Sequence, residues 1–356
     1  MGGRTPGVLE RYAELLPLTP ATPRLSLHEG STPLMHAHRL ARWVGVRDLF
    51  LKYEGLNPTG SFKDRGMVLA VARAVENGAR AVLCASTGNA AASAAAYAAH
   101  AGVRAIVLLP AGRVAAGKVA QAVAYGAVIV TVDGSFDDAL GLAREAADRF
   151  GYALVNSVNP ARIEGQTTAA YEICDELGDA PDVLAIPVGN GGNITAYHLG
   201  FERAREHGRA RSVPRFIGGQ ATGAAPFVRG EPVDHPETVA TAIRIGRPAT
   251  WEPAIRAVQE TDGRFVAVSD DVILEAYRTI PRMEGIFCEP ASAASVAALR
   301  DAVRSGAVDR DQMCVCVLTG NGLKDPDTAV AGVEFSAPID PTNVAALSGP
   351  DAGPDV

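Results

Sequence analysis

Short runs of apolar, often β-branched residues alternate along this chain with Ala-rich stretches whose apolar positions recur at helical spacing. The runs Ala81–Ala85 (AVLCA), Ala105–Leu109 (AIVLL), Val128–Val132 (VIVTV), Val183–Pro187 (VLAIP), Phe216–Gly218 (FIG) and Cys314–Leu318 (CVCVL) predict strands. They lack the apolar/polar alternation of a half-solvated strand, so they read as strands buried on both faces. Between them, Met67–Val75, Ala90–Ala101, Gly117–Tyr125, Phe136–Phe150, Thr167–Leu177, Thr195–Glu206 and Ala291–Ser305 predict helices. Strands and helices in this alternation predict an α/β protein with two open, mostly parallel sheets flanked by helices. A polar turn at Asn156–Pro160 marks a candidate boundary between them, and the Pro/Ala/Gly/Asp-rich stretch from Ser336 onward predicts a loose tail. No internal repeat is visible.

Composition narrows the function classes. The chain has 356 residues, 47% of them hydrophobic and 21% charged, enough to bury a substantial core in two domains. A formal charge of -7, without a Lys/Arg-rich run, argues against a nucleic-acid surface and for small-molecule partners. No segment is long and apolar enough to span a bilayer, and the N-terminus lacks the basic-then-apolar order of a signal peptide, so the expected location is the cytoplasm. The five cysteines include no C-x-x-C pair, and their odd number fits reduced thiols. Cys314 and Cys316, two apart on one strand, would share a face as buried core thiols rather than a metal pair.

Ligands of open α/β sheets bind beyond the carboxyl ends of the strands, so the loops there carry the candidate chemistry. The first predicted strand runs into Ser86-Thr87-Gly88-Asn89 and then a helix. Hydroxyls and amides at a helix N-terminus suit a carboxylate, with Ser86 and Thr87 as its ligands and Asn89 free to reach a ring oxygen. A loop serving only as an N-cap would need one such residue. The strand ending at Pro187 runs into Val188-Gly189-Asn190-Gly191-Gly192-Asn193. Its three glycines bring backbone amides close to an anion such as a phosphate, whereas a tight turn alone accounts for one of them. The strand ending at Leu318 runs into Thr319-Gly320-Asn321-Gly322, which places the Thr319 hydroxyl at a strand tip where it can meet a ring nitrogen.

One lysine stands apart. In Asn57-Pro58-Thr59-Gly60-Ser61-Phe62-Lys63-Asp64-Arg65-Gly66, a turn cluster with Ser61 as expected N-cap precedes the Met67–Val75 helix, placing Lys63 in the first helical turn. The helix dipole favours anions there, so a surface lysine gains nothing from the position. An amine that must condense with an aldehyde cofactor does gain, because the helix terminus and nearby Arg65 would lower its pKa.

Two nucleotide signatures are absent. No G-x-G-x-x-G follows a strand, and Gly112 to Lys118 approximates a P-loop but continues with Val119 where magnesium binding needs a hydroxyl.

These segments together resemble the tryptophan-synthase-β-like (fold type II) family of pyridoxal-phosphate enzymes, and within it the threonine synthases. The resemblance covers most of the chain: LHEGSTPL (27–34), KYE (52–54), the Lys63 motif, STGN, NSVNPARIEGQ (156–166), VGNGGN and LTGNGLKDP (318–326). It implies that the cofactor lies between a discontinuous large domain (1–65 and 158–335) and a small substrate-binding domain (66–157), with 336–356 as a tail. It implies pyridoxal 5'-phosphate bonded to Lys63, which later shuttles protons. Asn89 would meet the cofactor's ring hydroxyl, Gly189, Asn190, Gly191, Gly192 and Asn193 its phosphate, and Thr319 its ring nitrogen. The implied substrate is O-phosphohomoserine, with its carboxylate at Ser86 and Thr87 and its phosphate at Asn156, Ser157 and Arg162. A surface arginine at a helix start is the competing reading of Arg162. The resemblance further implies a homodimer. Ala90 and Ala91 depart from it: family members often carry small hydroxyl residues there, and the change opens the alternatives of lower efficiency or a specialised paralogue acting on a related amino acid; a threonine/serine dehydratase, which would share the cofactor lysine but eliminate at Cβ, is a separate alternative.

Overall fold

The computed structural model describes residues 6–111 and 116–332. Gly112–Ala115 of the P-loop-like stretch and the tail from Ser336 lie outside the described residues. Six strands form one sheet in the order β1-β2-β10-β7-β8-β9: β1 Leu34–His36, β2 Asp48–Tyr53, β7 Val183–Pro187, β8 Arg215–Ala221, β9 Arg264–Val268 and β10 Met313–Leu318. The other four make a second sheet in the order β5-β4-β3-β6: β3 Ala81–Ala85, β4 Arg104–Pro110, β5 Val128–Val132 and β6 Ala153–Leu154. Every pairing is parallel except β1 with β2. This is the α/β architecture that the continuous apolar runs predict, except at β5, an edge strand that is largely exposed (Val128 47%, Val130 36%) and not covered on both faces. Five of the predicted helices keep their ends to within two residues, and the other two begin earlier, the Lys63–Glu76 helix by four residues and the Gly192–Glu206 helix by three.

Strand alternation sorts the core. Leu184, Ile186, Val315 and Val317 face one cluster, while Val183, Ala185, Cys314 and Cys316 face another across the sheet, so the paired cysteines do share a buried face. The first cluster also holds Met67, Val68 and Val71 of the helix Lys63–Glu76 and Val82, Cys84 and Val107 of the four-stranded sheet. One continuous apolar core therefore ties both sheets to the helix that carries Lys63.

That helix begins without the expected cap. Its N-cap is Phe62, with no side-chain capping bond, and the buried Ser61 hydroxyl has no partner among the described residues. The turn is fixed instead by Asp64, whose carboxylate accepts from the Thr59 amide (2.7 Å), the Thr59 hydroxyl (2.6 Å) and the Ser93 hydroxyl (2.6 Å). A carboxylate in the first turn also suits the helix dipole.

Arg65 also departs from expectation. It is buried in a charge network, donating through Nε and Nη2 to Glu54 (2.6 and 2.8 Å) and through Nη1 and Nη2 to Glu172 (2.8 and 2.6 Å). Lys52, fully buried, joins it with Nζ 2.9 Å from Glu172. The two cations hold the Glu172 carboxyl far below the usual carboxylate range. Removing one member strands the others in the core, so Arg65→Ala is expected to cost roughly 3–5 kcal/mol. A urea melt that shifts by less than about 1 kcal/mol would show that the network contributes little to folding.

Candidate active site

The carboxyl ends of β3, β7 and β10 open on one cavity of about 1080 Å³. Lys63, Ser86, Thr87, Asn89, Asn156, Ser157, Arg162, Gly189–Asn193 and Thr319 all line it. The sequence separates these residues by more than 250 positions. Backbone bonds bring the loops together: the Phe62 amide donates to Thr319 O (3.0 Å) and the Asn321 amide to Gly60 O (2.9 Å). Gly60, at φ +87°, lets the chain turn there with the Lys324 stem packed over it.

Two glycines explain how Arg162 reaches Lys63. A Cβ on Gly66 would lie 2.5 Å from Arg162 O, and one on Gly165 would lie 2.2 Å from Arg65 O. The helices Lys63–Glu76 and Pro160–Gln166 thus cross in backbone contact. Arg162 is 2% exposed, which rules out the surface reading. Its only hydrogen bond among the described residues is a long one, Nη1 to Val155 O at 3.4 Å, and its Nε has no partner. Burial lowers its pKa with no carboxylate to offset it. A buried guanidinium left this way is costly unless an anion joins it.

Lys63 answers to this environment. Burial and then Arg162 lower its pKa to about 7, against the opposing pull of Glu289 and Cys84. The lowering cation is Arg162, not Arg65, which is committed to its two glutamates. Among the described residues Nζ makes no hydrogen bond and lies 4.2 Å from the centre of the Phe62 ring. A neutral, unbonded amine facing a cavity is suited to attack a carbonyl. The rate at which cofactor-free protein captures an aldehyde should therefore rise about tenfold per pH unit below pH 7 and level off above it. Stopped-flow absorbance would show this; a rate that climbs steadily beyond pH 9 would indicate an ordinary lysine.

The Ser86-Thr87 loop is not a cap. The helix Asn89–Ala101 starts from Gly88 with no side-chain capping bond, and among the described residues the Ser86 hydroxyl accepts only the Gly88 amide, at 3.3 Å. Asn156 pairs through both ends of its amide with the backbone of Ala85 (2.9 and 2.8 Å), fixing the end of β3 under that loop. Ser157 accepts from Asn190 at 3.4 Å. In the glycine loop, Gly191 has φ +81°, and a Cβ there would stand 2.7 Å from Thr250 O. The helix Gly192–Glu206 begins at this loop and directs its free amides into it. Both amide atoms of Asn193 are buried without a partner among the described residues. Asn193 and the Arg162 Nε are orphaned polar groups lining the cavity, and a phosphate-bearing ligand satisfies such groups. The residues present fit a phosphorylated cofactor with an aldehyde.

Sequence reasoning missed Glu289. It is buried, it accepts from Asn89 Nδ2 (3.1 Å) and from the Thr319 hydroxyl (3.4 Å), and burial pushes its pKa up. Thr319 also lies 3.1 Å from the Ser292 hydroxyl. The available signal was a carboxylate just before Pro290, which opens the helix Pro290–Arg304 without Glu289 capping it by its side chain.

A family model described as pyridoxal-phosphate dependent enzyme matches residues 25–320. The chain belongs to this family. It is similar to the threonine synthase of Mycobacterium bovis, 56% identical over 94% of this chain and 93% of that one. It is also similar to the threonine synthase of Synechocystis sp., 55% identical over 94% of this chain and 88% of that one. Among solved structures, maize serine racemase superposes with a TM-score of 0.73 at 20% identity, covering 90% of this chain and 94% of that one, which shows the fold. Among the described residues no helix is long and apolar enough to cross a membrane.

Proposed function

We infer that this protein is a pyridoxal-phosphate-dependent threonine synthase, a lyase that converts O-phosphohomoserine and water to L-threonine and phosphate. The observation that carries this reading is Arg162. The cavity already holds an amide-lined anion cradle at Gly189–Asn193, and a buried, unpaired guanidinium beside it calls for a second anion. A substrate bearing its own phosphate supplies one, and the high identity to threonine synthases supports that choice.

In this reading Gly189, Asn190, Gly191, Gly192 and Asn193 would hold the cofactor phosphate, Asn89 its ring hydroxyl and Thr319 its ring nitrogen. Glu289 would fix the orientation of Asn89 and Thr319. When bound, pyridoxal 5'-phosphate supplies a sink for negative charge developing at the substrate α-carbon. Thr319 offers a neutral hydroxyl, which tempers that sink relative to a carboxylate partner. Ser86 and Thr87 receive the substrate carboxylate with the free amides of the following helix. Arg162 and Ser157 receive the substrate phosphate, while Asn156 keeps the end of β3 in place. Lys63 Nζ, its pKa lowered to about 7 so that a good fraction is neutral at neutral pH, takes the proton from the substrate Cα and returns protons later. Lys63 Nζ also takes a proton from Cβ as phosphate departs with the electron pair of the Cγ–O bond; that proton is returned to Cγ, water adds its hydroxyl at Cβ and leaves its proton to the phosphate, and the Cα proton is restored last.

The division into 1–65 with 158–335 and 66–157, a homodimeric assembly and a cytoplasmic location belong to this proposal. Ala90 lines the cavity and Ala91 is buried, so neither offers a hydroxyl to the substrate. Substrate anions then depend more heavily on Ser86, Thr87 and Arg162. The test is a comparison of substrates. The cofactor-loaded protein should release phosphate from O-phosphohomoserine and form no ammonia or oxo acid from L-serine or L-threonine. The reverse pattern would identify a dehydratase.

A further inference from the structure

One cation of the cavity has no part in the scheme above. Lys324 is half-buried and lines the cavity from the short helical turn Gly322–Lys324 that follows β10. Its stem packs over the turn that precedes Lys63: a Cβ on Gly60 would lie 2.9 Å from Lys324 Cε. Asp64 and Glu289 both act on its charge, yet among the described residues Nζ is hydrogen-bonded to neither carboxylate. Its partner is neutral. Nζ donates to Oε1 of Gln121, on the helix Ala116–Ala124. The other end of the same amide is also engaged, Nε2 donating to Thr59 O at 3.3 Å.

Glutamine suits this place because its amide accepts from a cation and donates to a carbonyl at once, whereas an ionised carboxylate could only accept. One side chain thereby ties the helix that follows β4 of the four-stranded sheet to two loops of the other unit, one after β2 and one after β10 of the six-stranded sheet. The tied helix packs on the helix Asn89–Ala101, with Ala122 in the same core cluster as Ala91, Ala94 and Ala95. Apolar contact between such helices is non-directional, so hydrogen bonds must fix where the pair sits over the cavity. Ser93 provides one fixed point, donating to Asp64 beside Lys63. The Gln121 amide provides the second, at the cavity edge.

We propose that Gln121 and Lys324 are positioning residues that set the distance between the Ser86–Asn89 loop and Lys63. This rests on the reading of Ser86 and Thr87 as the substrate-carboxylate site. The carboxylate takes no part in bond breaking, so its contacts are alike in the ground and transition states, and weakening them raises KM while kcat stays.

The test uses cofactor-loaded protein with Lys324→Met, which keeps the stem over Gly60, Gln121→Ala, the two combined, and Lys324→Arg. Each of the first two should raise KM for O-phosphohomoserine about tenfold with kcat within about threefold of the parent, and the double variant should be no worse than either. Lys324→Arg, which keeps a charged donor, should stay within about threefold in KM. Cofactor content should not change. Without substrate, amides of the helix Ala116–Ala124 should exchange with deuterium about tenfold faster in both single variants. A parent protein that leaves O-phosphohomoserine untouched would refute the substrate reading alone, and the exchange rates would then decide the contact by themselves. Unchanged exchange in Lys324→Met, an unchanged KM in an active parent background, additive losses in the double variant, or cofactor lost in step with KM would overturn the proposal.

Discussion

Replacing Lys63 with alanine is expected to reduce turnover by about 10⁴-fold or more, because both the covalent anchor and the proton carrier are lost. The absorbance of a lysine-bound aldehyde should vanish with it, and the cofactor, held only by the Gly189–Asn193 cradle and the ring contacts, should leave on dialysis. The fold should survive. Among the described residues Lys63 makes no hydrogen bond, and burial lowers its pKa, so its removal costs little stability. Normal absorbance together with activity above a hundredth of the parent protein's would refute the assignment of this lysine.

Arg162→Ala should produce the opposite division of effects. Losing a buried charge-assisted contact to a dianion is expected to raise KM by roughly 10²–10³-fold, or 2.7–4 kcal/mol. Cofactor content should stay near that of the parent protein. Without substrate the variant should melt no lower, because an unpaired buried guanidinium is replaced by a neutral side chain. The same change removes the second-largest cause of the low Lys63 pKa, so the pH profile of aldehyde capture should move upward. A structural arginine would behave otherwise, with a lower melting temperature and parallel losses of cofactor and substrate affinity.

The strands that were legible in the sequence are those whose burial on both faces is written locally, as in β3 and β7, where every residue is buried. β2 (DLFLKY) hid because it carries Lys52, which is tolerated only through Glu172, Glu176 and Thr32. β9 (RFVAV), a partly exposed edge strand, lacks the continuous apolar run of a strand buried on both faces. In the site, the strand-end loops were legible because glycine, hydroxyl and amide residues cluster there for a reason that acts within a few positions. Long-range consequences were not. The burial of Arg162 depends on the Gly66–Gly165 crossing, the role of Arg65 depends on Glu172 more than a hundred residues away, and Glu289 acquires its place only when β10 and the Asn89 helix meet.

The central claim, that phosphate leaves by breaking the Cγ–O bond while water adds at Cβ, is tested most directly by turnover of O-phosphohomoserine in ¹⁸O-labelled water. Threonine carrying one ¹⁸O in its hydroxyl, formed in equal amount with unlabelled phosphate, is the predicted result; labelled phosphate with homoserine would show simple ester hydrolysis and contradict the account.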